Sequence, residues 1–172
     1  MKRLTILRHA KSSWDEPNAD DFDRPLNGRG WKAARRMGQE LKQRKIRFDL
    51  CLASPAARVR ETLDGLAQTY GELPFPIRFE RHIYLADGAT LLGLVRGVSD
   101  EVEKLLLVGH NPGLERLVAT LAADDDKGLR HRAALKFPTA ALAAIDLAAG
   151  SWADIETAGG KLVELILPRE LD

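Results

Sequence analysis

The sequence predicts a three-layer α/β sandwich, with helices on both faces of a mainly parallel central sheet and at least one antiparallel edge strand. Two observations carry this. Three apolar runs of the fully buried kind, at 4–7, 50–53 and 105–108, are each followed by a segment of helical periodicity. From Ala140 onward the helical pattern gives way to strand-like alternation. A chain of 172 residues suits one domain over 1–172, and its size allows about 70% of the unfolded surface to be buried without disulfides or a structural metal.

Leu4-Thr5-Ile6-Leu7 is β-prone, and the polar stretch from Arg8-His9 to Asp23 reads as a long surface loop, a kind of connection that tends to be functional. Asn27 is placed to cap a helix with Ala34, Met37 and Leu41 on one face. Its other face, with Lys32, Arg35, Arg36 and Lys42, reads as solvated surface. After the run at 50–53, Ser54-Pro55 reads as an N-cap with proline at the first helical position. That helix carries Val59, Leu63, Leu66 and Ala67 inward and ends near Tyr70, before Gly71 and the prolines at 74 and 76. Ile77-Arg78-Phe79 is strand-like, and a helix over 89–98 buries Leu91, Leu92, Leu94 and Val95. The third buried run meets Gly109-His110-Asn111-Pro112-Gly113 and a helix through Leu114, Leu117, Val118 and Leu121. Asp124-Asp125-Asp126 lacks the alternating spacing of a calcium loop and reads as a solvated loop. Strands are expected over 140–147 and 152–156 and, after a Gly159-Gly160 turn, through Leu162, Glu164 and Ile166.

Composition narrows the function classes. Lys and Arg number 26 against 25 Asp and Glu, a formal net charge of +1. With no interleaved basic and aromatic run, that balance speaks against a nucleic-acid partner or an anionic membrane surface. The single cysteine, Cys51, excludes an internal disulfide and reads as a buried small hydrophobe. No stretch approaches the ~18 apolar residues of a membrane span, and Met1-Lys2-Arg3 leads straight into a strand, so a cytoplasmic location is expected.

Right-handed crossovers place the loops after the three early strands along one sheet edge, where open α/β sheets bind ligands. Those junctions carry Arg8 with His9, Ser54-Pro55-Ala56-Ala57-Arg58, and His110. Each alone has a plain structural reading: a capped helix, an exposed arginine, a histidine bonded to a carbonyl. Together they gather two imidazoles and two guanidiniums beside a helix N-terminus that favours anions. An arginine at the positive end of a helix is locally unfavourable unless an anion sits between them, and its planar fork suits phosphate oxygens. The expected site is a phosphate cradle with a potential nucleophile. Two histidines could also begin a metal site, but no third ligand stands at suitable spacing; His82 and His131 read as structural or surface residues.

The segments Leu7-Arg8-His9-Ala10-Lys11, Ser54-Pro55-Ala56-Ala57-Arg58-Val59-Arg60-Glu61-Thr62 and Val108-Gly109-His110-Asn111-Pro112 resemble the motif set of the histidine phosphatase superfamily, with its phosphoglycerate-mutase-like fold. Residues 8–14, 21–26, 136–141 and 167–169 are similar to the small SixA-type phosphohistidine phosphatases, so the likeness runs over nearly the whole chain. Ala10 stands where the wider superfamily has glycine, a departure that the SixA-like branch accepts. The resemblance implies a phosphatase without metal or cofactor, in which His9 is the transiently phosphorylated nucleophile and Arg8, Arg58 and His110 form the catalytic phosphate pocket. The implied partner is a phosphorylated protein, the phosphohistidine of a phosphorelay or phosphotransfer domain. For the general acid the alternatives are Glu80, a loop carboxylate such as Asp15, or solvent; Glu80 reads first as an exposed strand-end residue.

Chemically, neutral His9 would attack phosphorus while Arg8, Arg58 and a protonated His110 hold the equatorial oxygens. Neighbouring guanidiniums are expected to lower the pKa of His9, and the opposite protonation states of the two histidines imply a bell-shaped pH dependence. A labile P–N bond with an imidazole leaving group depends less on a fixed acid than an alcohol does. Two other readings stand beside this one: a small-molecule phosphomonoesterase on the same site, and a non-catalytic phosphate-binding or protein-interaction module.

Overall fold

The computed structural model describes residues 1–18, 20–123 and 128–171. Strands β1 (Lys2–Arg8), β2 (Leu50–Ala53), β3 (Ile77–Phe79) and β4 (Lys104–Gly109) run parallel. Strand β5 (Leu142–Leu147) lies antiparallel to β1, and β6 (Gly160–Ile166) pairs antiparallel with β5. The six make one sheet in the order β3-β2-β4-β1-β5-β6.

Continuous apolar runs form the central strands because both faces are covered. Leu7, Cys51, Ala53, Leu106 and Val108 pack with Met37 and Leu41 of α1 (Gly28–Gln43) and Val59, Leu63 and Leu66 of α2 (Ala57–Tyr70). The alternate residues Leu4, Ile6, Leu52, Leu105 and Leu107 pack with α3 (Gly88–Arg96) and α4 (Gly113–Leu121) on the other face. From β1 the chain steps outward through α1 and α2 to β3, then returns through α3 to insert β4 between β2 and β1. Right-handed crossovers demand that reversing the direction of travel also changes the covered face, as it does here. The reversal makes the switch point at which the ends of β1, β2 and β4 meet in register, with Arg8 beside Gly109 and Val108 beside Ala53.

Burial raises the Cys51 thiol to about 12, which leaves it inert. Helix α1 begins with Asn27 accepting from the Gly30 N–H at 2.8 Å. A Cβ on Gly30 would overlap the Lys11 carbonyl oxygen, so glycine is what lets α1 lie against the loop after β1.

Several expectations need correction. Ser54 does not cap α2: the helix starts at Ala57, its N-cap is Ala56, and no side chain caps it. The Ser54 N–H instead continues the sheet by donating to the Val108 carbonyl at 3.1 Å. The segment expected as a strand at 152–156 forms a single 3-10 turn, Trp152–Asp154, capped by Ser151. Its buried indole donates to the Val102 carbonyl at 2.7 Å, and burying that ring overrides strand alternation. Helix α3 starts one residue early, at Gly88, because Asp87 accepts from the Thr90 N–H. A short helix, α5 (Leu129–Leu135), was not foreseen. The Asp124-Asp125-Asp126 reading lies outside the described residues.

Candidate active site

The three strand ends deliver their side chains to one place. His9 follows β1 and its N–H donates to the Gly109 carbonyl at 3.1 Å; His110 follows β4. The two rings sit 5.3 Å apart, centroid to centroid, at 53°. Arg8, His9, Arg58 and His110 all line one cleft of about 350 Å³. Thr62 locks α2 to it, accepting from the Ala10 N–H at 2.9 Å and donating to the Arg58 carbonyl at 2.6 Å.

The His9 tautomer follows from its partner. Nδ1 lies 2.7 Å from the Ala10 carbonyl oxygen, which only accepts, so Nδ1 carries the proton and Nε2 keeps its lone pair. His110 Nε2 lies 2.8 Å from the Ser54 hydroxyl. Among the described residues four buried side-chain polar atoms lack a partner: Arg8 Nε, Arg24 Nε, Arg58 Nε and His110 Nδ1. All four belong to residues around this cleft. Unpaired buried polar atoms are costly, each about 1–3 kcal/mol, and the three arginine Nε–H donors among them are concentrated where an anion would offset them.

A model of the histidine phosphatase superfamily, branch 1, matches residues 4–82. An uncharacterized protein of Mycobacterium tuberculosis is 35% identical over 165 residues, spanning 95% of this chain and 100% of that protein. A chloroplastic protein of Arabidopsis thaliana, also uncharacterized, is 31% identical over 179 residues, spanning 97% of this chain and 78% of its own. Among solved structures, one assigned as the phosphohistidine phosphatase SixA from Agrobacterium tumefaciens superposes with a TM-score of 0.79 at 32% identity, covering 97% of this chain and 98% of that one. The chain belongs to the histidine phosphatase superfamily. The fold is shared as well with a protein histidine phosphatase SixA complexed with tungstate, at a TM-score of 0.79 and 24% identity over 99% of both chains.

Sequence reasoning missed the carboxylate of this superfamily member's cleft. Asp21, in a 3-10 turn after the long loop, accepts from the Tyr84 hydroxyl at 2.5 Å and from Arg24 and Arg58 at 3.1 Å each. Its backbone carbonyl takes a second Arg58 N–H at 2.7 Å. Arg24 reaches on to the Ser12 hydroxyl. Desolvation works against the charged form of Asp21, but the bonds from Tyr84 and Arg24 and the Arg58 guanidinium outweigh it and hold the carboxyl at about 2. It is therefore an anchor for the cations at neutral pH, not a proton donor. The carboxylates considered from sequence lie elsewhere. Glu80 bonds His82 Nδ1 at 2.9 Å, and neither it nor the exposed Asp15 lines the cleft. His82 and His131 are exposed.

Burial pushes His9 down to about 4; the Ala10 bond opposes this, and Arg58, Arg8 and Arg24 add to it. Burial, then Arg58 and His9, push His110 down to about 3. The guanidiniums thus act on His9 in the expected direction, but burial is the larger cause. Both rings are therefore neutral at pH 7, and a protonated His110 is not the resting state of this cleft.

This sets a stability signature. Unfolded histidine takes its proton near 6.5, whereas folded His9 stays neutral down to about 4 and His110 to about 3. Across that window the unfolded chain binds more protons, so stability falls as the pH drops below 6.5. For His9 alone the loss is on the order of 3 kcal/mol by pH 4. Asp21 adds its own loss only lower, between 3.8 and about 2. Urea unfolding at pH 7, 5.5 and 4 should show the first decline, and a flat result would contradict the buried neutral pair.

Proposed function

We propose that the protein is a phosphatase that hydrolyses protein phosphohistidine through a phosphohistidine intermediate on His9. The observation that carries this reading is the fixed tautomer of His9, a neutral imidazole whose Nε2 keeps its lone pair in a cleft it shares with Arg8, Arg24 and the buried Arg58. Nε2 attacks phosphorus in line, a new P–N bond forms, and the P–N bond to the substrate's imidazole breaks. The leaving imidazole takes its proton from water, since Asp21 is held as a carboxylate. Arg8, Arg58 and the developing imidazolium of His110 spread across the equatorial oxygens, where charge grows in the transition state. Water then attacks phospho-His9, releasing inorganic phosphate and returning neutral His9.

An imidazole leaving group favours this substrate class over phosphate esters, because a strongly basic alkoxide leaving group would call for a positioned acid. The likeness to structures assigned as SixA supports the same choice. The test is mass spectrometry of acid-labile phosphate after brief exposure to a histidine-phosphorylated phosphotransfer domain, with sugar and nucleotide phosphates as comparison substrates. Label on the His9 peptide and faster turnover of the protein are expected. Faster turnover of the esters would make the protein a small-molecule phosphomonoesterase, and turnover without label on His9 would overturn the mechanism.

A further inference from the structure

Adjoining the catalytic cleft, and sharing Lys11 and Thr139 with it, is a second concavity of about 490 Å³. Six cations line it, Lys11, Arg29, Lys32, Arg36, Lys136 and Arg169, and no described carboxylate does. In a chain with a net charge of +1 that is a marked segregation. Arg36 is engaged by Glu40 and the Leu171 carbonyl. Among the described residues the other five make no ion pair. Arg29 stands in the first turn of α1, which contains no acid, and Lys32 follows in the next. Cations at the positive end of a helix do nothing for its stability.

The rim of the catalytic cleft carries a different feature. Trp14 and Leu85 line it while 76% and 58% exposed, two of the four large apolar side chains left exposed among the described residues. Leu85 is held at φ 53, a left-handed conformation disfavoured for leucine, and Arg24 stacks 3.7 Å from the Trp14 ring centroid. An exposed aromatic and an aliphatic residue beside a basic groove match the make-up of a protein interface.

We propose that this face docks the acidic surface of a phosphohistidine-bearing protein, which lies along the six-cation groove while its phosphorylated imidazole enters the cleft between Trp14 and Leu85. The proposal rests on the phosphohistidine reading above. A small polyanion would satisfy the cations but leave the tryptophan and the strained leucine without a role.

The test uses two probes. One is a phosphotransfer domain with acidic side chains around its phosphohistidine, charged chemically with phosphoramidate; the other is free N-phosphohistidine. The 172-residue protein is compared with the variant Arg29→Glu, Lys32→Glu, Arg169→Glu. Turnover of the protein probe, as kcat/KM, should fall about 10- to 100-fold through KM, and free phosphohistidine should be hydrolysed at the same rate by both. The wild-type reaction with the protein probe should also slow steeply from about 50 to 500 mM salt, which needs no variant. Glutamate suits the start of α1, and an unchanged rate on the free amino acid reports an intact fold. Unchanged turnover of the protein probe, insensitivity to salt, or equal losses on both probes would overturn docking while leaving the chemistry standing. Inhibition by tripolyphosphate of wild type alone, with the protein reaction unaffected by the substitutions, would assign the groove to a small polyanion. Hydrolysis of free phosphohistidine but not of the protein probe would overturn the substrate reading itself, and docking with it.

Discussion

Replacing His9 with alanine is expected to lower phosphatase turnover by roughly 10⁴- to 10⁶-fold and to remove the acid-labile phosphoenzyme altogether. Among the described side chains considered as substitutes, His110 alone keeps an unpartnered ring nitrogen, Nδ1, and that atom is buried. His110 Nε2 is engaged with Ser54, the Ser12 hydroxyl with Arg24, and Cys51 is buried in the core with its thiol held at about 12. The guanidiniums survive the substitution, so the variant should still bind inorganic phosphate and gain thermal stability from it. Loss of chemistry with retention of anion binding separates a missing nucleophile from a collapsed site. Turnover of a chromogenic phosphate equal to wild type would mean that the activity arises somewhere other than this cleft.

Much of that cleft was legible in the sequence, for a definite reason. Strands buried on both faces read as unbroken apolar runs, so β1, β2 and β4 announce themselves, and right-handed crossovers oblige their ends to share an edge. Arg8, His9, Arg58 and His110 follow from those two facts. Asp21 does not. It is one of several acids in a long polar loop, beside Asp15, Glu16, Asp20 and Asp23, and no periodicity tells which one turns inward. Its spacing of three from Arg24 was a usable signal, since their ion pair closes the same 3-10 turn. Ser54 was ambiguous for another reason. Ser-Pro before a helix satisfies the capping rule, and only the sheet register reveals that its N–H is committed to Val108 and its hydroxyl to His110. The basic face of α1 looked like solvated surface because helical periodicity cannot show that Arg169, from the far end of the chain, joins Lys32 and Arg36 in one concavity.

Arg58 offers the second large effect, and one in which charge and geometry can be pulled apart. Its guanidinium is buried, two N–H donors go to Asp21, and the rest of the fork is uncommitted. Arg58→Ala should cost about 10²–10³ in kcat, the usual consequence of deleting a preorganised donor to a transition-state oxyanion. Stability should change much less, because the Asp21 side chain is 41% exposed and water replaces the lost partner. The arginine also helps to depress both His9 and His110, so its removal should move their titrations upward, which NMR of the imidazole protons can follow. Arg58→Lys keeps the charge without the planar fork. It should therefore leave the histidine titrations near their wild-type positions yet restore only part of the rate. If lysine rescues the rate as fully as the titrations, the pocket needs a positive charge and nothing more; if alanine costs less than about fivefold, Arg58 belongs to the loop anchored by Asp21 rather than to the phosphoryl group.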